Sequence, residues 1–420
     1  MPSAPLPSPA PGHRWAASGS VLPMLAFAIT ALCLLLLLQV WLGWRLAAPF
    51  SPAVARWIWG GQTLVTIALP LGMVLSRAGS GRLAAAAAGV ALVLLGLWSL
   101  VMAGMLGWEV LRWLFAGLDL TLHALHLPGP GALLPADPIQ RAAWARAGVL
   151  AVLSAAALLG LAALISDRTP PRVVEVTIAR PGLPAGLEGL RIALISDLHV
   201  GPTAREAFVE DVVAKVNALT PDLIAFTGDL ADGPVAALGP EVAPLTGLRA
   251  PLGVWFVPGN HEYFSGVDAW LAEVRRLGMV PLVHEHRVLT RGGASLVIAG
   301  VPDPQGGRLM AGHRPDPTAA RAGAPPVDFS LLLAHQPRSA PDAAAAGFDL
   351  VLAGHTHGGQ FFPWTAVIHG IEPFISGLYR LGDTQLAGTR LYVTPGTGTW
   401  GPPMRLGTMK EITLITLRSS

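Results

Sequence analysis

Leu350-Val351-Leu352-Ala353-Gly354-His355-Thr356-His357-Gly358-Gly359-Gln360 is the stretch that decides the fold. Four apolar residues of strand character give way to glycines and two alternating histidines. A short apolar run bounded by turn residues reads as a buried strand, and alternate residues on extended chain share one face. Working backwards, the arrangement recurs four times. Phe329–Ala334 ends in His335, and Val254–Val257 leads to Gly259-Asn260-His261-Glu262. Leu223–Thr227 runs into Gly228-Asp229-Leu230-Ala231-Asp232, and Arg191–Ser196 into Asp197-Leu198-His199. Five strands thus deliver Asp, Asn or His at their C-terminal ends, where open α/β sheets place their ligand sites. Glycine precedes the key residue in three of the five, which lets the backbone turn tightly.

Taken singly these pieces are weak: a Gly-Asp is usually a turn, and Asp-x-His a cap with a surface histidine. In this order, each after a strand, they point to a metal site. Histidines, two carboxylates and an amide oxygen make a mixed N/O set larger than one ion with water needs. Two ions bridged by one carboxylate would use them all. Cys33 is the single cysteine, so a thiolate cage is excluded, and the set favours manganese, iron or zinc over copper(I).

Asp-x-His, Gly-Asp-x-x-Asp, Gly-Asn-His-Glu, a lone His and Gly-His-Thr-His, in that order, resemble the calcineurin-like metallophosphoesterases. Gly-His-Thr-His-Gly-Gly-Gln, with Pro395-Gly396-Thr397-Gly398 and Met404-Arg405-Leu406-Gly407, is similar to the bacterial subgroup with N-terminal membrane segments. The resemblance covers about residues 173–420 and implies two mixed β-sheets packed face to face with helices outside both, an α/β/β/α sandwich. It implies that Asp197, His199 and His357 hold one divalent metal and Asn260, His335 and His355 a second, bridged by Asp229. It further implies that His261 stands by without ligating, protonating the leaving oxygen or stabilising phosphoryl charge. Asp232 stands where other subgroups carry Arg and is expected to orient His261 or a ligand. A hydroxide held between the ions would then attack phosphorus in line. Histidine ligands must be neutral to bind, so activity should fall in acid.

Around these motifs the sequence alternates strands and helices, the pattern of an α/β domain. Thr203–Leu219 reads as a helix with Thr203 as a possible cap and Phe208, Val212, Val216 and Leu219 on one face. Ser265–Leu277 reads as another, stopped by Gly278, and Gly347 closes a short Ala-rich helix. Further strands are Val173–Ile178 and Ser295–Ala299. Asp303–Asp328, rich in Pro and Gly, reads as a surface loop. His284 and His286 fit an edge strand, while His313 and His369 have no partners in sequence. Phe361–Tyr379 holds Phe361, Phe362, Trp364, Phe374 and Tyr379. Aromatic residues are core material by default, so it reads as a buried strand and turn. The other reading is an apolar rim that admits a lipid tail.

The N-terminal part is different in kind. The 420 residues are 52% hydrophobic and 13% charged, and residues 1–170 carry only nine basic and four acidic residues. A basic excess spread around apolar segments, rather than patched on a soluble domain, gives no footing for nucleic-acid binding. After residues 1–14, expected to be disordered, four uncharged stretches follow: Trp15–Trp44, Trp57–Ser76, Leu83–Trp108 and Ala147–Ser166. Each is long enough to cross a bilayer as a helix, which predicts a multi-pass region of four spans (about 21–44, 57–76, 83–107 and 146–166). Residues 167–172 form a linker, with Pro170-Pro171 ending the last helix. The first run is too long for a signal peptide, although Ala53-Val54-Ala55 mimics a cleavage site. Glu109–Leu127, punctuated by Arg112, Asp119, His123 and His126, reads as an amphipathic helix in the interface. Five arginines fall on each side, so the positive-inside rule leaves orientation open. Chargeless spans argue against an ion pathway and for an anchor.

The expectation is therefore a membrane-anchored, two-metal hydrolase of phosphoesters, acting on a soluble or lipid-linked phosphate or pyrophosphate. The alternative of another class is a non-catalytic metal-binding scaffold, whose signature would be missing ligands; none is missing.

Overall fold

The computed structural model describes residues 21–78, 82–126, 135, 137–382 and 388–420, so the expected disordered N-terminus lies outside the described residues. The chain divides into two compact units, 1–66 and 67–420. As far as they are described, the four uncharged stretches fall in helices: α1 (Val21–Ala47), α2 (Pro52–Ala78), α3 (Arg82–Ala124) and α4 (Pro138–Asp167). In the first unit, Gly43 leaves room for the Trp59 ring, which a Cβ there would meet at 2.6 Å.

Among the described residues, α3 and α4 are long and apolar enough to cross a membrane; the apolar described part of α1, Leu32–Ala47, is shorter. Glu109–Leu127 does not form a separate helix. Its first sixteen residues continue α3, which runs unbroken for 43 residues. Charged residues mark a change of surroundings, but no proline intervenes to stop the hydrogen-bond ladder. α3 and α4 pack antiparallel through small residues: Gly104 faces Val152, Gly160 faces Leu97, and Gly148 takes the Trp108 ring. Trp108 and Trp144 stack with centroids 4.5 Å apart. Glycines at such crossings let helices approach closely.

Among the described residues the remainder holds twelve strands: β1 (Arg172–Arg180), β2 (Arg191–Ile195), β3 (Leu223–Phe226), β4 (Val254–Phe256), β5 (Val280–Pro281), β6 (Glu285–Arg291), β7 (Ala294–Gly300), β8 (Phe329–Leu333), β9 (Leu350–Ala353), β10 (Gly377–Leu381), β11 (Thr389–Val393) and β12 (Glu411–Ser419). Two six-stranded mixed sheets result, ordered β1-β12-β2-β3-β4-β5 and β10-β11-β9-β8-β7-β6. β2, β3, β4 and β5 run parallel in the first, and β7, β8, β9 and β11 in the second.

The helices of this part are α5 (Glu206–Ala218), α6 (Val235–Val242), α7 (Asn260–Ser265), α8 (Val267–Arg276), α9 (Gly306–Leu309), α10 (Pro317–Arg321), α11 (Ala340–Ala345) and α12 (Trp364–Ile371). Because strand side chains alternate, each central strand feeds two cores. Ile192, Leu194, Leu223 and Trp255 meet Leu296, Ile298, Leu331 and Leu350 between the sheets. Ala193, Ile195, Ile224 and Phe256 turn outward to Val212, Val216, Trp270 and Val274 of α5 and α8. On the far side Val297, Leu332 and Val351 meet Ala320 and Ala340 of α10 and α11. This is the expected pair of sheets with helices on both outer faces.

Four local expectations give way. α5 begins at Glu206, and Thr203 is not its cap; Glu241 of α6 accepts from the Glu206 amide at 2.8 Å, a cap supplied from another helix. The helix expected over 265–277 is present as α8 but starts at Val267, because Gly266, at φ +102°, ends α7 and caps α8. Asp303–Asp328 is more than a loop, since it carries α9 and α10 and buries Asp303, Pro317 and Ala320. Phe361–Tyr379 is not a buried strand and turn: Phe361 is buried, but α12 has no buried residue.

Candidate metal centre

Every sequence-expected ligand arrives at the C-terminal edge of a parallel strand. β2 brings Asp197 and His199, β3 Asp229, β4 Asn260, β8 His335, and β9 His355 and His357. Asp197, His199, Asp229, His355 and His357 all have positive φ, between 48° and 73°. Non-glycine residues rarely adopt that conformation, and its concentration at one sheet edge marks a site held in place by its surroundings.

The preceding glycines act chiefly by leaving space. A Cβ on Gly259 would lie 2.2 Å from Asp229 Oδ1, and one on Gly354 2.2 Å from Asp197 Oδ2. Only Gly228, at φ +90°, also needs the left-handed region.

The donor atoms form three overlapping groups: Asp197, His199 and His357; His199, Asp229 and His261; and Asp229, His335 and His355. His199 Nε2 lies 3.1 Å from His357 Nε2, and His335 Nε2 lies 3.1 Å from both His355 Nδ1 and Asn260 Oδ1. Asp229 Oδ2 stands between the groups, 3.6 Å from His199 Nε2 and 3.2 Å from His335 Nε2.

Whether a metal fits is decided by where the ring protons go. His335 Nδ1 sits 2.7 Å from the Thr227 carbonyl, so it donates, and a neutral ring then aims its Nε2 lone pair at other acceptors. His199 Nδ1 sits 2.7 Å from Asp232 Oδ1, with the same consequence for its Nε2. Acceptors converging at about 3 Å repel unless a proton or cation lies between them. A hydrogen-bonded far nitrogen is also how a ligating histidine is ordinarily oriented. The residues fit two cations of nitrogen- and oxygen-binding type.

Electrostatics follow the same lines. Burial works to raise Asp229, yet the facing His335 and His261 hold it well below the usual carboxylate range. Burial raises Asp197. Burial and the His335 charge push His355 down to about 3, and burial with His199 and Arg405 holds His357 well below its ordinary value. Both rings are thus neutral, as ligands must be. His335 is raised well above its ordinary value: burial opposes this, but Asp229, Asp197 and Asp303 prevail, so the carboxylates favour a positive charge beside its Nε2, whether a proton or a metal cation that displaces it. His261 is raised to about 9, because Asp229 and Asp232 outweigh burial.

Three contributors were given no role in the sequence reading. Glu262 is fully buried and accepts from the amides of Gly259, Asp229 and Leu230. Burial and the Asp229 charge raise it to about 7. The G-x-x-E spacing of a capping box was the available signal. Asp303 lies buried at the end of the supposed loop. Arg405, also fully buried, sits 3.1 Å from His357 Nδ1 and donates to the Pro395 and Gly398 carbonyls. Gln360 ties the same loop down by donating to the carbonyls of Trp400 and Pro402. Of the histidines set aside, His286 is on edge strand β6 as expected, and His313 pairs with Tyr263 at 2.6 Å.

With this geometry in hand, comparison with known proteins is specific. Residues 190–359 match the calcineurin-like phosphoesterase family. An uncharacterized metallophosphoesterase of Aquifex aeolicus is 37% identical over 59% of this chain and 92% of its own length. The chain belongs to the calcineurin-like metallophosphoesterases. A Bos taurus transmembrane protein with metallophosphoesterase domain is 39% identical over 63% of this chain, which spans 61% of that relative's length. Among solved structures, Haemophilus influenzae NAD nucleotidase aligns with 50% of this chain and 51% of its own, at 15% identity and a TM-score of 0.37.

Proposed function

We propose that the chain is a binuclear metal-dependent phosphoesterase anchored in a membrane by α3 and α4. The observation that carries this reading is the position of Asp229 between two convergent groups of donors. Asp197, His199 and His357 would hold one ion, Asn260, His335 and His355 the other, and Asp229 would bridge them. Two such cations, when bound, supply Lewis acidity that activates water and neutralises phosphoryl charge.

The chain's own part is binding and proton handling. His261 keeps its side chain partly exposed, with Nδ1 2.7 Å from Asp232 Oδ1. Raised to about 9, it is protonated at neutral pH and can hand its proton to a leaving oxygen or face a phosphoryl oxygen as a cation. Asp232 orients it. Glu262 and the glycines fix the ligand turns, and Arg405 braces His357.

Phe264 and Trp400 edge the His261 ring at 5.9 Å, which favours a substrate with an apolar part, such as a lipid-linked phosphate or pyrophosphate. The test is hydrolysis of bis-p-nitrophenyl phosphate and p-nitrophenyl phosphate by the full chain in detergent, after chelation and add-back of manganese, iron or zinc. Metal-dependent turnover abolished in Asp229→Asn and strongly reduced in His261→Ala is the expected result. A folded chain that binds no metal would overturn the enzyme and leave a scaffold.

A further inference from the structure

α12 follows the last metal ligands directly, yet it is an eight-residue helix without Asp, Glu, Lys or Arg and without one buried residue. Trp364, Val367 and Ile371 are 44%, 45% and 57% exposed. Their spacing of three and four places them on one face of the helix. Phe362, also exposed, leads into it. An exposed apolar stripe of this kind calls for an apolar neighbour.

What that neighbour is follows from where the segment is fastened. Phe361 is buried in a cluster with Leu100 of α3, Ala156 and Ala163 of α4, and Met404. Phe362 lines a cavity of about 290 Å³ together with Gly104, Trp108, Val152 and Leu159 of the same two helices. Ala156 lies ten residues before Ser166, where the uncharged stretch of α4 ends. At 1.5 Å per residue that is about 15 Å along the helix, near the middle of a bilayer core roughly 30 Å thick. The aromatic loop therefore lies alongside the part of α4 that the proposed anchoring puts inside the membrane. At its other end α12 closes in a polar clasp: Arg338 pairs with Glu372 at 2.9 Å and donates to the Ile371 carbonyl at 2.7 Å. In a bilayer this charged clasp would lie at headgroup level, with the apolar face of α12 below it.

We propose that residues 361–371 form a membrane-seated foot, with Phe362, Trp364, Val367 and Ile371 in the lipid of the leaflet that surrounds α3 and α4. The occupant of this face is the bilayer, and the substrate class is a phosphoester carried on a lipid. The inference rests on the reading of α4 as a membrane span. Gly359, two residues past His357, lets α12 lie directly on the ligand turn, so seating the foot places the metal centre at the membrane surface.

The test uses the full chain in vesicles of phosphatidylethanolamine and phosphatidylglycerol, with Cys33→Ser removing the native thiol. Single cysteines replace Val367, Leu158 on the exposed side of α4, and Glu210 on the exposed face of α5, each carrying a nitroxide. At 367 the label should be relaxed by oxygen, as at 158, and several-fold less by an aqueous nickel chelate than at 210. A label at 158 in lipid but at 367 in water overturns the foot while leaving the anchor intact. A label at 158 in water overturns the anchor, and the foot with it. A label at 367 shielded from both relaxants means a protein partner covers the face, and also overturns the proposal.

Turnover gives the second arm, using hexadecyl p-nitrophenyl phosphate in the vesicles against its methyl ester in solution. The long-chain ester should be cleaved several-fold faster, and a Trp364→Ser, Val367→Ser, Ile371→Ser variant should bring the ratio towards unity with methyl-ester turnover unchanged. Equal rates in the unaltered chain would overturn the lipid substrate.

Discussion

Asp232 Oδ1 lies 2.7 Å from Nδ1 of His261, and the same oxygen lies 2.7 Å from Nδ1 of His199. One carboxylate therefore orients an expected metal ligand and the expected proton donor together. Removing such an outer partner costs roughly 10- to 100-fold in affinity or activity in metal sites. Asp232→Ala should lower both manganese affinity and kcat for bis-p-nitrophenyl phosphate to that extent. Asp232→Asn, which keeps an acceptor oxygen without its charge, should lose less. Unchanged kinetics and affinity in both variants would show the carboxylate idle.

Asp229 makes a sharper case, because it belongs to two donor groups at once. Chelation should lower the melting temperature of the full chain, and manganese should restore it. A ligand at 100 times its Kd adds about 2.7 kcal/mol when it binds only the folded state. Asp229→Asn should lose most of that increment and bind fewer than two ions per chain by elemental analysis. Two ions and a full thermal shift in the variant would mean that the bridge is elsewhere.

How much of this was legible in the sequence depends on whether a residue acts through its neighbours in the chain or across space. The strands were readable because each apolar run is short and ends abruptly at Gly, Pro, Asp or His, and β9 has the expected bounds. The expected ligands converge because parallel strands bring their C-terminal ends to one edge. Arg405 and Asp303 were not readable. Arg405 reaches His357 across 48 residues, and Asp303 sits in a Pro/Gly-rich stretch whose burial depends on distant packing. The start of α5 was missed for the same reason, its cap coming from Glu241. For α12, apolar composition was visible, but composition alone cannot tell a core face from one left exposed.

Asp303 gives a dependence on pH. Burial raises its carboxyl to about 6, against the 3.8 of an ordinary aspartate. A carboxyl raised in the folded state favours folding where both states are protonated, below about pH 4. That contribution is lost as pH rises through 6. The loss is about 3 kcal/mol, at 1.36 kcal/mol for each pKa unit. In the chelated protein, Asp303→Asn should match the parent near pH 4 and become progressively more stable than it up to pH 7. The check is denaturant unfolding of both proteins at several pH values. A stability difference that does not change with pH would refute the burial cost.

Gly359 tests how tightly the ligand turn depends on α12. Its φ is +75°, and a Cβ there would lie 2.4 Å from the Cα of Thr365. Left-handed backbone costs a residue with a Cβ roughly 1–2 kcal/mol, and the collision is with main chain that cannot rotate away. Either the turn or α12 has to move. Because His357 is two residues away, Gly359→Ala should weaken manganese binding and cut kcat at least about tenfold, the range seen for misplaced ligands. Gly370 is the matched control: it lies in the same helix, and a Cβ there meets nothing within 4 Å. Gly370→Ala should leave both parameters alone and add slightly to helix stability, since alanine is the better helix former. If the two substitutions behaved alike, α12 would not be seated on the ligand turn.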